Sequence, residues 1–189
     1  MFLRNKFIVI LFFLISCQPI ELVEPVNIDN TRLLKISISS NEIVLNINYN
    51  PVFSENNIED QIENPPIKII TSWINENISN FGNENKLVIN IIDASIFKKE
   101  IDNVNAKKYE EKTIFKYDIF FLVEYELYDD SNYLIANTSV ESSRSTTSQK
   151  YISINETEII INDLLNKAIE DFTKESEILL KKYMSNYLK

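Results

Sequence analysis

Residues 116–128 carry the pattern that most restricts how this chain can fold. One alternate set of side chains is apolar throughout: Tyr117, Ile119, Phe121, Val123, Tyr125 and Leu127. The other set is mixed and contains Asp118, Glu124 and Glu126. Because successive side chains in a strand point to opposite faces of the sheet, this period of two predicts a long strand with one buried face. The chain must therefore build a sheet and cover one side of it.

Two neighbouring segments predict the strands beside it. Residues 86–97 are apolar on both faces, which is typical of an interior strand. Tyr133–Thr147 alternates again and follows the turn-forming run Asp129–Asn132, so we expect it to pair with residues 116–128. Residues 98–112 are charged and predict a loop or a long hairpin connection. The hydroxyl-rich stretch Ser142–Gln149 predicts a strand end that frays beyond the sheet.

The first part of the folded region also alternates. Leu34–Tyr49 contains two period-two runs, separated by the short polar stretch Ser40–Glu42. This arrangement predicts a β-hairpin with one buried face, and a continuous strand with a bulge is the alternative. Ser54–Asn64 is acidic and polar, and it predicts a surface loop.

Two segments have helical periodicity. Pro65 and Pro66 begin a run with apolar residues, among them Trp73, spaced three and four apart up to Phe81, and Gly82 would supply its C-cap. Ser153 and Glu156 form a capping-box pattern before a second run of about thirty residues, close to 45 Å of helix. Since this length exceeds that of most globular helices, we expect the last two turns to project or to dock elsewhere.

These elements together predict an α+β fold. Strands joined by hairpins, with the helices segregated from them, favour a mainly antiparallel sheet with helices packed on one face and a long C-terminal helix. We expect a single domain over residues 33–189. Residues 17–32 contain Pro19 and Pro25 and lack periodicity, so they predict a tether of roughly 20 Å average reach.

The composition excludes several classes of function. The chain has no histidine, one cysteine and one glycine. These counts exclude His/Cys zinc sites, Ser-His-Asp triads, Cys-His dyads and glycine-rich phosphate loops. We therefore predict no catalytic residue, no metal and no cofactor, and a protein that is not an enzyme. The net charge of −9, without a basic stripe, argues against nucleic-acid binding.

Aromatic side chains near one predicted turn form a candidate interaction surface. Tyr117, Tyr125 and Tyr133, with Tyr128 nearby, cluster around the hairpin that follows residue 116. Such residues are enriched in protein interfaces and could also line a small-ligand groove. Cross-strand pairing within the sheet is the simpler explanation.

Charged residues offer weaker candidates. Glu124 and Glu126 stand two apart on one strand face, where two carboxylates could serve glycoside hydrolysis, although a solvated sheet face explains them as well. Asp129 and Asp130 are adjacent carboxylates that turn chemistry explains. Arg144 is the only arginine after Arg32, and it could anchor a carboxylate.

The N-terminus has a different pattern. Arg4 and Lys6 precede the apolar run Phe7–Ile15, which is too short to span a bilayer. Leu14, Ile15 and Ser16 then precede Cys17, and this sequence resembles the lipobox of bacterial lipoproteins. An uncleaved anchor, or a secretory signal with a chance cysteine, is the alternative.

The lipobox resemblance implies how the chain would be processed. Residues 1–16 would be a signal peptide, and Cys17 would carry a diacylglycerol thioether and an acylated amino group that hold the protein on a membrane. The next residue is Gln18 rather than aspartate, which by the sorting rule of enteric bacteria implies the outer membrane, facing the periplasm, over the inner membrane. Cleavage would remove two of the 19 basic residues and none of the 28 acidic ones.

The order of features over residues 34–184 resembles a group of uncharacterised alphaproteobacterial envelope lipoproteins. The resemblance rests on Pro65-Pro66, a helix with an aromatic residue, Ile91–Ile96, the tyrosine-rich hairpin and the capped final helix. The layout is similar to that of the lipopolysaccharide-assembly lipoprotein and the auxiliary lipoprotein of lipid-transporting ABC systems. This implies a non-enzymatic accessory factor that binds another envelope protein or a lipid. A small-ligand module using the tyrosines, and a carboxylate hydrolase of wall glycans, are the alternatives.

Overall fold

The computed structural model describes residues 33–51 and 54–189. The expected signal peptide (1–16), the lipobox with Cys17 and the tether (17–32) lie outside the described residues. The described elements are β1 (Ile36–Ser39), β2 (Glu42–Ile47), α1 (Pro66–Asn77), β3 (Ile78–Phe81), β4 (Lys86–Asp102), β5 (Thr113–Tyr128), β6 (Leu134–Gln149) and α2 (Ile154–Tyr183). Short 3-10 turns occupy Glu59–Gln61 and Ser185–Tyr187. The α+β prediction is confirmed.

The main sheet has the strand order β2-β4-β5-β6. β4, β5 and β6 form an antiparallel meander, whereas β2 runs parallel to β4. β4 continues to Asp102, so the predicted loop begins later than Lys98. β6 stays paired with β5 as far as Gln149, which lies opposite Ile114. The expectation that Ser142–Gln149 frays is therefore wrong, because backbone pairing with the long β5 holds this stretch whatever its side chains.

The predicted hairpin over Leu34–Tyr49 is also wrong. β1 pairs in parallel with β3, and β2 pairs in parallel with β4, so the two runs continue in one direction and never face each other. The Ser40 N–H donates to the Phe81 carbonyl at 2.9 Å, and the Asn41 N–H donates to the Asn85 carbonyl at 2.9 Å. This segment is closer to the alternative of one irregular strand. It passes from a small two-stranded sheet, formed by β1 and β3, to the main sheet.

The first helix is shorter than its apolar spacing predicts. α1 ends at Asn77, and Ile78–Phe81 forms β3 instead of a last helical turn. These four residues fit either periodicity, and pairing with β1 supplies the backbone bonds that select the strand. Gly82 accordingly lies after β3 at φ 97°, where it turns the chain rather than capping a helix.

Both helices pack on the same face of the main sheet, as predicted. Phe172 of α2 lies at their junction, with its ring 5.6 Å from that of Trp73 in α1 and 5.6 Å from that of Phe121 in β5. The last turns of α2 also dock, since Leu180 and Met184 are buried. Leu188 then bridges to Ile38, and the Lys189 N–H donates to the Ser37 carbonyl at 3.2 Å. The length of α2 thus brings the C-terminal residues alongside β1 of the small sheet.

The direction of the strands separates the two ends of the domain. β2 begins beside Lys86, at the start of β4, so residues 33–39 lie at that end. β4 runs 17 residues away from it, roughly 55 Å at about 3.3 Å per residue. The β4–β5 loop (103–112) and the β6–α2 loop (150–153) therefore lie at the far end. We call these two loops, together with Ile154, the tip.

Candidate functional site

The tyrosines proposed as an interaction surface do not form one. Tyr117 and Tyr125 are fully buried and face the helices from β5, whereas Tyr133 lies in the β5–β6 turn and is 71% exposed. Burial raises the pKa of the Tyr125 hydroxyl, which has no hydrogen-bond partner among the described residues. The alternation of side chains along β5 explains why Tyr117 and Tyr125 are buried, because it places both of them on the face that packs against the helices. Packing within the sheet, the simpler explanation, therefore accounts for Tyr117 and Tyr125.

The carboxylate pair lies on the sheet face opposite the helices. Glu124 and Glu126 are half-buried there, and the Glu126 Oε2 accepts hydrogen bonds from Asn90 Nδ2 and from the Tyr128 hydroxyl, each at 3.1 Å. Neither residue lines the cavity described below. Glu126 is thus part of a polar network on an open strand face, as the solvated-face explanation expects.

Two weaker expectations have clear outcomes. Arg144 does hold a carboxylate: its guanidinium donates to Asp171 of α2 and ties β6 to that helix. Asp129 has a turn role, because its Oδ1 accepts the backbone N–H groups of Ser131 and Tyr133, each at 2.9 Å. Both residues serve the fold.

A cavity of about 520 Å³ opens at the edge of β4. The segment before the first 3-10 turn supplies one wall, because Asn57 forms an isolated bridge with Phe97 and the Ile58 N–H donates to the Ile96 carbonyl at 3.4 Å. The start of α1 supplies another wall. The lining residues are Pro51, Ser54, Glu55, Asn57, Glu59, Asp60, Pro65 and Ile67.

Glu59 is the buried acid of this cavity. It is 7% exposed, although the acidic stretch Ser54–Asn64 predicts a surface loop. Its Oε1 accepts hydrogen bonds from the Tyr49 hydroxyl and from Asn57 Nδ2, the second at 2.9 Å, and its backbone N–H donates to Asn57 Oδ1 at 2.9 Å. Burial and the adjacent Glu59 carboxylate raise the pKa of Tyr49 far above its usual value. Tyr49 is therefore a neutral donor to this carboxylate.

The tip carries the four most exposed large apolar side chains of the described residues. Val104 and Tyr109 of the β4–β5 loop are 90% and 93% exposed, and Tyr151 and Ile154 are each 82% exposed. Glu111 links the two loops, because its carboxylate accepts the Lys150 N–H at 2.6 Å and the Tyr151 N–H at 3.4 Å. The two loops that carry the exposed residues are thus joined to each other.

The two loops of the tip also carry lysines. The Lys108 ammonium lies 5.7 Å from the centre of the Tyr109 ring. Lys107 pairs with Glu110 at 3.9 Å, and Lys150 pairs with Glu100 at 2.8 Å. Tyrosine and aliphatic side chains with a charged rim are typical of protein interfaces.

Sequence reasoning missed both the cavity and the tip. The cavity could have been suspected from the isoleucines that interrupt its acidic loop, since Ile58 is buried in the core and Ile62 is half-buried. The tip could have been suspected from Val104 and Tyr109 within a charged loop.

The described residues contain no group of three or more metal-ligating side chains placed to hold a metal ion. None of the described helices combines the length and apolar composition that crossing a membrane requires.

Comparison with known proteins finds similarity of structure but not of sequence. No protein-family model matches the chain, and no curated protein matches its sequence. The chain is similar to a minor lipoprotein from Acinetobacter baumannii, solved by crystallography, with 10% sequence identity and a TM-score of 0.41. The match covers 77% of this chain and 96% of that one. Similarity at this level assigns neither a family nor a function.

Proposed function

We propose that this protein is a bacterial envelope lipoprotein, held on the periplasmic side of the outer membrane by lipid on Cys17, that binds another envelope protein through its tip. Its role is accessory and non-enzymatic. The N-terminal pattern supports the anchor, because Leu14, Ile15 and Ser16 precede the only cysteine of the chain after a short apolar run.

The separation of the two ends is the observation that carries this proposal. The described chain begins at Leu33, at the end of the domain that also holds β1 and the C-terminal residues. The tip lies a β4 length away, roughly 55 Å at about 3.3 Å per residue. A protein attached through Cys17 would therefore present its exposed apolar residues away from its own membrane.

The chemistry of the tip favours a protein partner. Large apolar side chains exposed together on neighbouring loops are typical of surfaces that bind a partner. Tyr109 and Tyr151 offer broad, rigid contact area at low cost in side-chain entropy, as interface tyrosines do. Lys108 forms no salt bridge with the described residues, and it favours a partner surface with an acidic residue at its rim.

Site-specific photo-crosslinking in intact cells tests the proposal. A photoreactive residue at position 108, inside the tip, should give one discrete crosslinked product with a protein. The same residue at position 84, at the opposite end, should not give that product. Tyr109→Ser combined with Tyr151→Ser should abolish the product, because these changes remove the two aromatic contacts.

Tyr133→Ser is the matched control for the tip. It removes a tyrosine that is also exposed but lies at the other end, so the product should persist. Persistence of the product in the tip double variant would contradict tip-mediated binding. Crosslinking of position 108 to lipid alone would indicate a membrane in place of a protein partner and would also refute the proposal.

A further inference from the structure

The geometry points to a second binding site: the cavity at the β4 edge takes an alkylammonium group, which pairs with the buried carboxylate of Glu59. This site shares no residue with the tip, and it does not depend on the function proposed above.

The charge of the cavity selects a cation. Among the residues that the structure describes, its lining includes Glu55, Glu59 and Asp60 and no basic side chain. None of the salt bridges in the described part of the chain involves Glu59. A buried carboxylate without a cationic partner is costly, so an incoming ammonium would gain more here than at an exposed acid.

The carboxylate is also held in a fixed position. Tyr49 and Asn57 donate to the same oxygen, Oε1. Among the residues that the structure describes, none donates a hydrogen bond to the other oxygen, Oε2, and Glu59 lines the cavity. A preorganised acceptor of this kind loses little entropy when the ligand binds.

The remaining walls suit an aliphatic chain. Pro51, Pro65 and Ile67 contribute apolar surface to the lining. The volume of about 520 Å³ lies within the range of small-molecule pockets, roughly 300–1,000 Å³. The ligand class is therefore a primary amine on a short alkyl chain, which a free diamine or a lysine side chain of a peptide could supply.

Titration of the full-length protein in non-ionic detergent tests this inference. Pentan-1-amine and pentan-1-ol have the same chain and differ only in the charged group. Calorimetry should show that the amine binds about tenfold tighter or more, the difference typical of a charged hydrogen bond. In NMR spectra the Tyr49 ring and the Asn57 side-chain amide should shift with the amine. Equal affinity for the two ligands, or no binding of either, would overturn the inference.

Variants then locate the site. Glu59→Gln keeps the side-chain shape and should lose the preference for the amine, whereas Glu124→Gln, on the open sheet face, should keep it. Ser54→Trp places a large ring on the cavity lining while keeping Glu59 itself, and it should weaken amine binding, which keeps the test decisive if Glu59→Gln does not fold. Unchanged amine binding in a folded Glu59→Gln or Ser54→Trp variant would refute the site.

Two further ligands distinguish the source of the amine. Cadaverine represents a free diamine, and Nα-acetyl-lysine methylamide represents a peptide side chain. Tighter binding of the first supports a free amine as the ligand, and tighter binding of the second supports a lysine-bearing segment.

Discussion

Replacement of Phe172 by alanine is the sharpest test of how the helices are held on the sheet. The Phe172 ring is fully buried and packs against Trp73 of α1 and Phe121 of β5. Truncation of a buried Phe to Ala typically costs about 3–5 kcal/mol, and each aromatic pair contributes about 0.5–1.5 kcal/mol beyond area burial. Since two pairs are lost together, we expect the upper half of that range, about 4–5 kcal/mol.

Urea denaturation followed by tryptophan fluorescence measures this loss. Trp73 is the only tryptophan and is fully buried, so its emission reports directly on this junction. Thermal denaturation followed by the same emission should show a decrease of about 8–20 °C in the melting temperature for a domain of this size, at about 2–4 °C per kcal/mol. Ile178→Ala is the control on the same helix: its side chain is 58% exposed, and its change should stay within about 0.5 kcal/mol. If Phe172→Ala costs no more than this control, the junction does not hold the fold together.

Three other predictions address the anchor, a helix cap and a buried carboxylate. Wild-type protein should incorporate labelled palmitate, and Cys17→Ala should not; equally low incorporation by both would exclude the lipid anchor. Ser153→Ala removes the capping-box hydroxyl that accepts the Glu156 N–H, and it should cost about 1 kcal/mol in urea denaturation. Burial raises the pKa of Asp118, but hydrogen bonds from Lys116, Ser145 and Lys99 outweigh it and leave the pKa below its usual 3.8. The stability that Asp118 contributes is therefore present above pH 3.8 and lost as the pH falls below that value, and Asp118→Asn should flatten this part of the pH profile of the urea midpoint.

The sequence predicted the faces of the elements better than their partners. The alternation in β5 correctly separated the buried Tyr117 and Tyr125 from the open face with Glu124 and Glu126. The same alternation in Leu34–Tyr49 could not show that β1 and β2 pair in parallel with β3 and β4, because these pairings join residues more than forty positions apart. Alternation of apolar and polar residues identifies a strand and its two faces. Which strand pairs with it depends on packing between distant parts of the chain.

The candidate site was predictable only in part. The composition of the chain removed whole classes of catalysis, but it could not reveal that Glu59 turns inward among acidic neighbours that stay in solvent. That burial depends on Tyr49, which lies ten residues away and donates to the carboxylate. The tip was hidden for a similar reason: Glu111 joins two loops that are about forty residues apart in sequence.

The distance of each end from the membrane tests the central claim most directly. Cys17 is the only cysteine, so in lipidated protein a cysteine introduced by Glu84→Cys or Lys108→Cys offers a single free thiol for a fluorophore. With the protein reconstituted in vesicles that contain an acceptor lipid, energy transfer should be strong from position 84, near the anchored end, and weak from position 108, in the tip. Equal transfer from both positions, or stronger transfer from position 108, would contradict a domain that presents its tip away from the membrane.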